Sequence, residues 1–185
     1  MMRTIIREAT IADAEGIAKV HVDSWKTTYK NIVPTDFLDK LSYEQRTELW
    51  TRNLSEEGNI AFVVENLAGQ IVGFTSGSIS KEKDTGHLAT IYILKQYQEM
   101  GIGKKLIKEI FSKFNVLGFQ SIMVEVLEDN DARLFYQALG ATLLKSEQTK
   151  MAGTELCLLI YEWKDITLLL ERLRASDFNN WKGIH

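Results

Sequence analysis

Ile91-Tyr92-Ile93-Leu94-Lys95-Gln96-Tyr97-Gln98-Glu99-Met100-Gly101-Ile102-Gly103-Lys104 is the stretch whose reading decides the fold. Its start is a run of β-branched and aromatic residues. Its end opens a segment with Ile102, Leu106, Ile110 and Phe114 at helical spacing, and Ile107 and Phe111 beside them. A strand therefore passes through a glycine-containing turn into an amphipathic helix. The first N–H groups of a helix have no internal acceptor, and the helix dipole adds positive potential there. A pyrophosphate fits such a corner, and Gly101 and Gly103 carry no side chain to obstruct it. A dinucleotide-binding turn wants a third glycine, which residues 104–107 do not supply. A triphosphate loop wants Gly-Lys-Ser/Thr, where this chain has Gly103-Lys104-Lys105. Selection of the glycines for tight packing alone is the other reading of the segment.

Outward from this centre, the period alternates between strand and helix. Upstream, Thr4 to Arg7 reads as a strand and Ile11 to Tyr29 as a helix with Ile17, Ala18, His21, Val22 and Trp25 on its apolar side. Pro34 suits a first helical turn before Thr35 to Leu41, and Ser42 with Gln45 forms a capping-box pattern that starts a helix to about Leu54. Ile60 to Glu65, Gln70 to Ser80 and Thr85 to Leu94 read as strands. Downstream, Gly118 ends the helix, Gln120 to Leu127 is a strand, and Asn130 caps a helix that ends near Gly140. Ala141 to Gln148 and Thr154 to Trp163 read as a hairpin. Asp165 caps a last helix with Leu168, Leu169 and Leu173 on one side. This order predicts an α/β domain with one central mixed sheet, in which the strands flanking the Gly101 helix are parallel neighbours.

The chain has 185 residues, 45% of them hydrophobic, with a single proline and no low-complexity tract, which suits one domain with a real core. A net charge of −3 offers no basic field for nucleic acid. The single cysteine, Cys157, lies in the apolar run Leu156 to Ile160 and reads as an inert core thiol. One cysteine and no metal-ligand spacing point to a reducing compartment and no metal. With no cleavable leader and no uncharged apolar segment of membrane-crossing length, the expected location is the cytoplasm, with no membrane partner.

Gln98-Glu99-Met100-Gly101-Ile102-Gly103 resembles the Gln/Arg-x-x-Gly-x-Gly/Ala motif of the GNAT superfamily of N-acetyltransferases. Asn130-Asp131-Ala132-Arg133-Leu134-Phe135-Tyr136-Gln137-Ala138-Leu139-Gly140 resembles that family's asparagine-led helix with its Phe-Tyr pair and Leu-Gly ending. The resemblance runs from about Arg3 to Trp163, and the Trp25 to Pro34 segment is similar to an amino-terminal pattern of bacterial members. Departures are Lys95 and Asp131, where proline is frequent. The resemblance implies a single domain, residues 1–164, with its sheet splayed between the fourth and fifth strands. Residues 165–185 form a helical extension packed on the domain or on a partner subunit, which leaves a homodimer open. It implies acetyl-CoA as co-substrate, with pantetheine along the backbone of Ile91, Tyr92 and Ile93. The pyrophosphate would sit on Gln98, Glu99, Met100, Gly101, Ile102, Gly103 and Lys104, with Asn130 and Arg133 as further contacts.

The implied reaction transfers the acetyl group to a primary amine, foremost of a small molecule, by direct attack in a ternary complex. A protein or peptide amine, and a non-catalytic acyl-CoA sensor, are the alternatives. An aliphatic amine has a pKa of roughly 10, so a proton acceptor is required, and the departing thiolate needs a proton. By the resemblance Tyr136 is the acid; by spacing alone, Ala132, Phe135, Tyr136 and Leu139 make it a core tyrosine. His87 aligns with the family's base, and Glu125 on the next strand is the alternative. Trp25 and Tyr29, with Trp50, offer an aromatic wall for the acceptor.

Overall fold

The computed structural model describes residues 3–80 and 85–182. Residues 1–2 and 81–84 of the predicted domain and 183–185 of the predicted extension lie outside them. The described residues form a mixed seven-stranded sheet in the order β1-β2-β3-β4-β5-β7-β6. The strands are β1 (Thr4–Glu8), β2 (Asn59–Asn66), β3 (Ile71–Ser80), β4 (Thr85–Ile93), β5 (Ser121–Leu127), β6 (Thr142–Met151) and β7 (Thr154–Trp163). The helices are α1 (Ala14–Thr28), α2 (Thr35–Asp39), α3 (Tyr43–Ser55), α4 (Ile102–Val116), α5 (Ala132–Ala138) and α6 (Thr167–Lys182).

α4 is the crossover between β4 and β5, and the two strands are parallel as its position requires. Its Leu106, Ile107, Ile110, Phe111 and Phe114 have no exposed surface. Each contributes roughly 1.5–3 kcal/mol by that burial. They pack with Leu88, Ile122 and Val124, with Ile166 just before α6, and with Leu169, Leu170 and Leu173 of α6. The apolar stripe of α6 is therefore shifted from the predicted one: Leu168 is 57% exposed and Leu170 takes the inward place. α1 and α3 cover the opposite face through Ile17, Ala18, Val20 and Trp50 against Val63 and Phe74.

Local chemistry sets the other boundaries. α1 starts after Asp13 because residues Ile11–Asp13 form a 3-10 turn, with the Asp13 carboxylate accepting from Thr10 N–H at 2.8 Å and held by Arg7. Pro34 sits one place before α2 rather than inside it, its carbonyl accepting from Phe37 and Leu38. Ser42 Oγ accepts from Gln45 N–H at 3.3 Å and caps α3. Cys157 is half-buried rather than a core thiol; burial of the sulfur, then the nearby Glu128 carboxylate, raises its pKa and keeps it protonated.

Candidate active site

The sheet opens where β4 leaves β5. Pairing between them runs from Thr85↔Ser121 to Leu88↔Val124 and stops. At the same point the β3–β4 register slips, from Gly77↔Leu88 to Ser76↔Thr90, so Ala89 is an extra residue on β4. This bulge turns β4 away from its neighbour. β5 meanwhile continues on β7 through Leu127↔Leu158. The result is a V-shaped gap whose β4 wall is Ala89 to Ile93.

That wall has unused backbone groups. Leu94 N–H is bonded to Val72 of β3 at 3.0 Å. Strand alternation then points the N–H groups of Ile91 and Ile93 into the gap. The Ile93 carbonyl points the same way and accepts from Gln98 Nε2 at 2.9 Å, so the Gln98 side chain ties the turn to the strand that precedes it. Beyond Gln98 N–H, which bonds Lys95, no backbone carbonyl among the described residues takes an N–H of residues 99–104; Lys105 is the first to bond, to Gly101. Glu99 and Gly101 both have positive φ, 61° and 77°, and this conformation turns successive amides to one side. The donor set, the helix start and the open gap fit a diphosphate with an extended chain beside it.

The two glycines serve different ends. A Cβ on Gly101 would meet open space, so glycine is needed there for its left-handed backbone. A Cβ on Gly103 would lie 3.2 Å from the Phe135 ring and 3.7 Å from Ile93. Gly103 therefore makes room for α5 against α4. Beside the expectation that both glycines clear the way for phosphate, the structure gives Gly103 a packing reason of its own.

At the inner end of the gap lies a cluster of aromatic and amide groups from four elements. Tyr29 OH, just past α1, is 3.2 Å from Tyr92 OH on β4. Asn130 Nδ2, between β5 and α5, donates to Tyr29 OH at 3.4 Å, while its Oδ1 caps Ala132 N–H at 2.9 Å. Asn130 thus combines its capping role with a contact across the gap. The Tyr136 ring is 5% exposed and packs edge-on against Trp163, as a core tyrosine would. Its hydroxyl makes no hydrogen bond to a described residue. Burial first, then the nearby Tyr29, raises the Tyr136 pKa well above that of a free phenol. Tyr92 is raised by the same two causes, with Tyr136 contributing. These phenols hold their protons at any working pH.

The other predicted residues are distributed around this cluster. Trp25 and Tyr29 have ring centres 4.6 Å apart. Trp50 does not join them as a wall, because it is 3% exposed and belongs to the core beneath. Its Nε1 donates instead to His21 Nδ1 at 2.9 Å. His87 pairs with Ser78 and Met123 in the closed part of the sheet, and its Nε2 is buried without a partner among the described residues. Glu125, one step past the last β4–β5 pair, is exposed and shares His87's face of β5 and β4, opposite α4. Arg133 turns back, Nε donating to the Glu128 carbonyl at 2.9 Å, and Lys104 is exposed beside the turn.

His21, expected only on the apolar side of the first helix, belongs to this cluster as well. It is 7% exposed and stacks on Tyr92, ring centres 5.6 Å apart. Burial, then the charge of Arg46, lowers its pKa to about 4. Since Nδ1 accepts from Trp50, the neutral ring carries its proton on Nε2. The signal available was position: His21 falls four residues before Trp25 on the predicted helix face. Among the described residues no group of histidine, cysteine and carboxylate side chains has the arrangement to hold a metal ion. No described helix is long and apolar enough to cross a membrane.

Comparison with known proteins places this geometry. The profile of the Acetyltransferase (GNAT) family matches residues 21–141. The chain is 36% identical over 167 residues to the uncharacterized N-acetyltransferase YuaI of Bacillus subtilis, covering 89% of this chain and 95% of that protein. Over 78 residues, 42% of this chain and 51% of the relative, it is 35% identical to the [ribosomal protein bS18]-alanine N-acetyltransferase of Haemophilus influenzae. Among solved structures, the PaiA N-acetyltransferase of Thermoplasma acidophilum in complex with coenzyme A superposes with a TM-score of 0.68. It is 23% identical and covers 88% of this chain and 100% of that one.

Proposed function

The chain belongs to the Acetyltransferase (GNAT) family, and from that premise we propose that it acetylates the primary amine of a small molecule by direct attack within a ternary complex. It is an acetyl-CoA-dependent N-acetyltransferase: acetyl-CoA supplies an activated acyl group, and an amine receives it. The observation that carries the finer reading is the gap between β4 and β5. It offers free amides on both the strand and the turn, and buried neutral phenols at its inner end.

In this reading the amides of residues 99–104 hold the diphosphate. The Ile91 and Ile93 N–H groups line up the extended arm, and the Ile93 N–H faces the oxygen on which charge develops. Tyr136, held protonated, gives its proton to the departing sulfur. The amine's proton leaves towards Glu125 or His87; Glu125 is exposed and beside the gap, whereas His87 lies where the strands are still paired. The likeness to a ribosomal-protein alanine acetyltransferase favours a peptide amino terminus as the second reading.

A thiol-release screen over amino acids, polyamines, aminoglycosides and peptides tests the proposal. Turnover with a small amine is expected. Tyr136→Phe is expected to lower kcat about 100-fold or more, with the KM for acetyl-CoA little changed. Unchanged turnover in Tyr136→Phe removes the tyrosine from the mechanism. Stabilisation by acetyl-CoA without any thiol release favours a sensor.

A further inference from the structure

The wall facing the gap from α1 and α3 is rich in donors and carries one positive charge. Arg46 lies one helical turn before Trp50, so it shares the inward face of α3. Its neighbours three and four residues away are Ser42, Tyr43, Leu49 and Trp50, none of them a carboxylate. It forms no ion pair with a described residue. The half-buried guanidinium sits over the Trp25 indole, 5.8 Å from the ring centre. A half-buried arginine without a carboxylate partner keeps its donors available to an anion from solution.

The groups next to it are donors as well. Trp25 Nε1 is buried and makes no hydrogen bond of full geometry with a described residue, its nearby acceptor being the Tyr92 hydroxyl. Tyr29 OH accepts from Asn130, and of the two phenolic protons in the Tyr29–Tyr92 pair only one lies between the two oxygens. The second has no acceptor among the described residues. The neutral His21 presents a further N–H at Nε2 beside Trp25 and Tyr92. Asp23 on α1 is engaged by α3, its Oδ1 accepting from Tyr43 OH at 2.6 Å. A polyamine would meet Arg46 as a like charge on this wall, whereas a carboxylate would satisfy several donors at once.

We infer that the acceptor is an amine that also bears a carboxylate, a small amino acid or a close analogue, with Arg46, Trp25 and Tyr29 holding the carboxylate end. The amine end then lies towards the gap, on the side where Glu125 borders it. This assignment rests on the acetyltransferase reading above and names the substrate class for it.

The experiment compares matched acceptors by thiol release: lysine with cadaverine, ornithine with putrescine, β-alanine with ethylamine. The expected result is a kcat/KM at least tenfold higher for the carboxylate-bearing member. Arg46→Gln removes that preference through KM, and Arg46→Lys restores part of it. Equal or better use of the decarboxylated amines by the wild-type protein overturns the inference while leaving the acetyltransferase reading intact. So does an Arg46→Gln variant that retains the preference. Should no acceptor turn over, thermal shift with coenzyme A present decides: N-acetyl-β-alanine stabilises the wild-type protein, N-ethylacetamide does not, and the difference vanishes in Arg46→Gln. Absence of that difference overturns the inference. Absence of any shift with acetyl-CoA itself counts against the acetyltransferase reading instead.

Discussion

The two sides of the gap are made of different material. The turn side, from β4 through Gly101 into α4, works through backbone: free amides at 99–104, the outward N–H groups of Ile91 and Ile93, and a left-handed glycine. The facing side, from α1, α3 and the loop before α5, works through side chains brought together from positions as far apart as Tyr29 and Asn130. A backbone site tolerates most sequence changes but not a change of path. A side-chain site keeps its path but alters its chemistry with each substitution. Under the proposed reaction this divides the work: the main chain serves the acyl donor and the side chains serve the acceptor.

The largest expected difference between the two sides is in their response to pH. His21 has a folded pKa of about 4, below the ordinary value of roughly 6.5. Above pH 6.5 the ring is neutral in both folded and unfolded chains and contributes no pH dependence. As pH falls from 6.5 towards 4, the unfolded chain binds a proton that the folded chain refuses, so stability falls. Protonation at Nδ1 would also set two donors, Trp50 Nε1–H and His21 Nδ1–H, against each other. The loss amounts to about 3 kcal/mol at most, from the distance between the two pKa values. Urea unfolding of His21→Gln, whose amide oxygen can still accept from Trp50, should show a slope between pH 4 and 6.5 shallower than the wild type by about that amount. Equal slopes would mean that the α1–α3 side is as insensitive to protons as the backbone side.

Glycine substitutions probe the turn side, with a smaller effect. Gly101→Ala keeps open space around the Cβ but forces φ near 77° on an alanine. This costs roughly 1–2 kcal/mol, a fall in Tm of about 2–8 °C for a chain of this size. Gly103→Ala gains about 1 kcal/mol of helix propensity and must displace Phe135 slightly, so the two nearly cancel. The thermal shift given by acetyl-CoA is expected to survive in Gly103→Ala. Its loss there would show that the Gly103 face looks at the diphosphate after all, and would blur the division between the two glycines.

The same division explains what could be read from sequence. Element order, the crossover helix and the turn were legible because backbone sites leave periodic and glycine signals within about fifteen residues of one another. The splay between β4 and β5 came only with the resemblance, and its cause, the extra residue Ala89, has no signature in a run such as His87-Leu88-Ala89-Thr90-Ile91. The α1–α3 side was half legible. Trp25 and Tyr29 stood out as aromatics. Trp50 looked equivalent, but its inward turn depends on how α3 lies on β2 and β3. His21 read as one more position on an apolar helix side and Arg46 carried no reading, since only the packing of α1 against α3 sets one beside the other. In α6, Leu168 and Leu170 were exchanged because three consecutive leucines leave the helix face undetermined until Ile166 docks.

The finest test lies where the two sides touch, at Tyr29. Its hydroxyl joins Tyr92 on the backbone side to Asn130 at the head of α5. Tyr29→Phe leaves the ring against Trp25 and removes only the oxygen, so Asn130 Nδ2 and Tyr92 OH each lose a partner. Net hydrogen-bond energies put the stability cost at about 1 kcal/mol, readable as a small shift in urea midpoint with an unchanged m-value. On catalysis, the acceptor's KM should rise a few-fold while the KM for acetyl-CoA stays put, because no amide of 99–104 depends on that oxygen. An equal rise in both would mean that Asn130 and Tyr92 transmit the loss into the turn. The gap would then act as one coupled site, and the separation of a main-chain half from a side-chain half would fail at the residue that joins them.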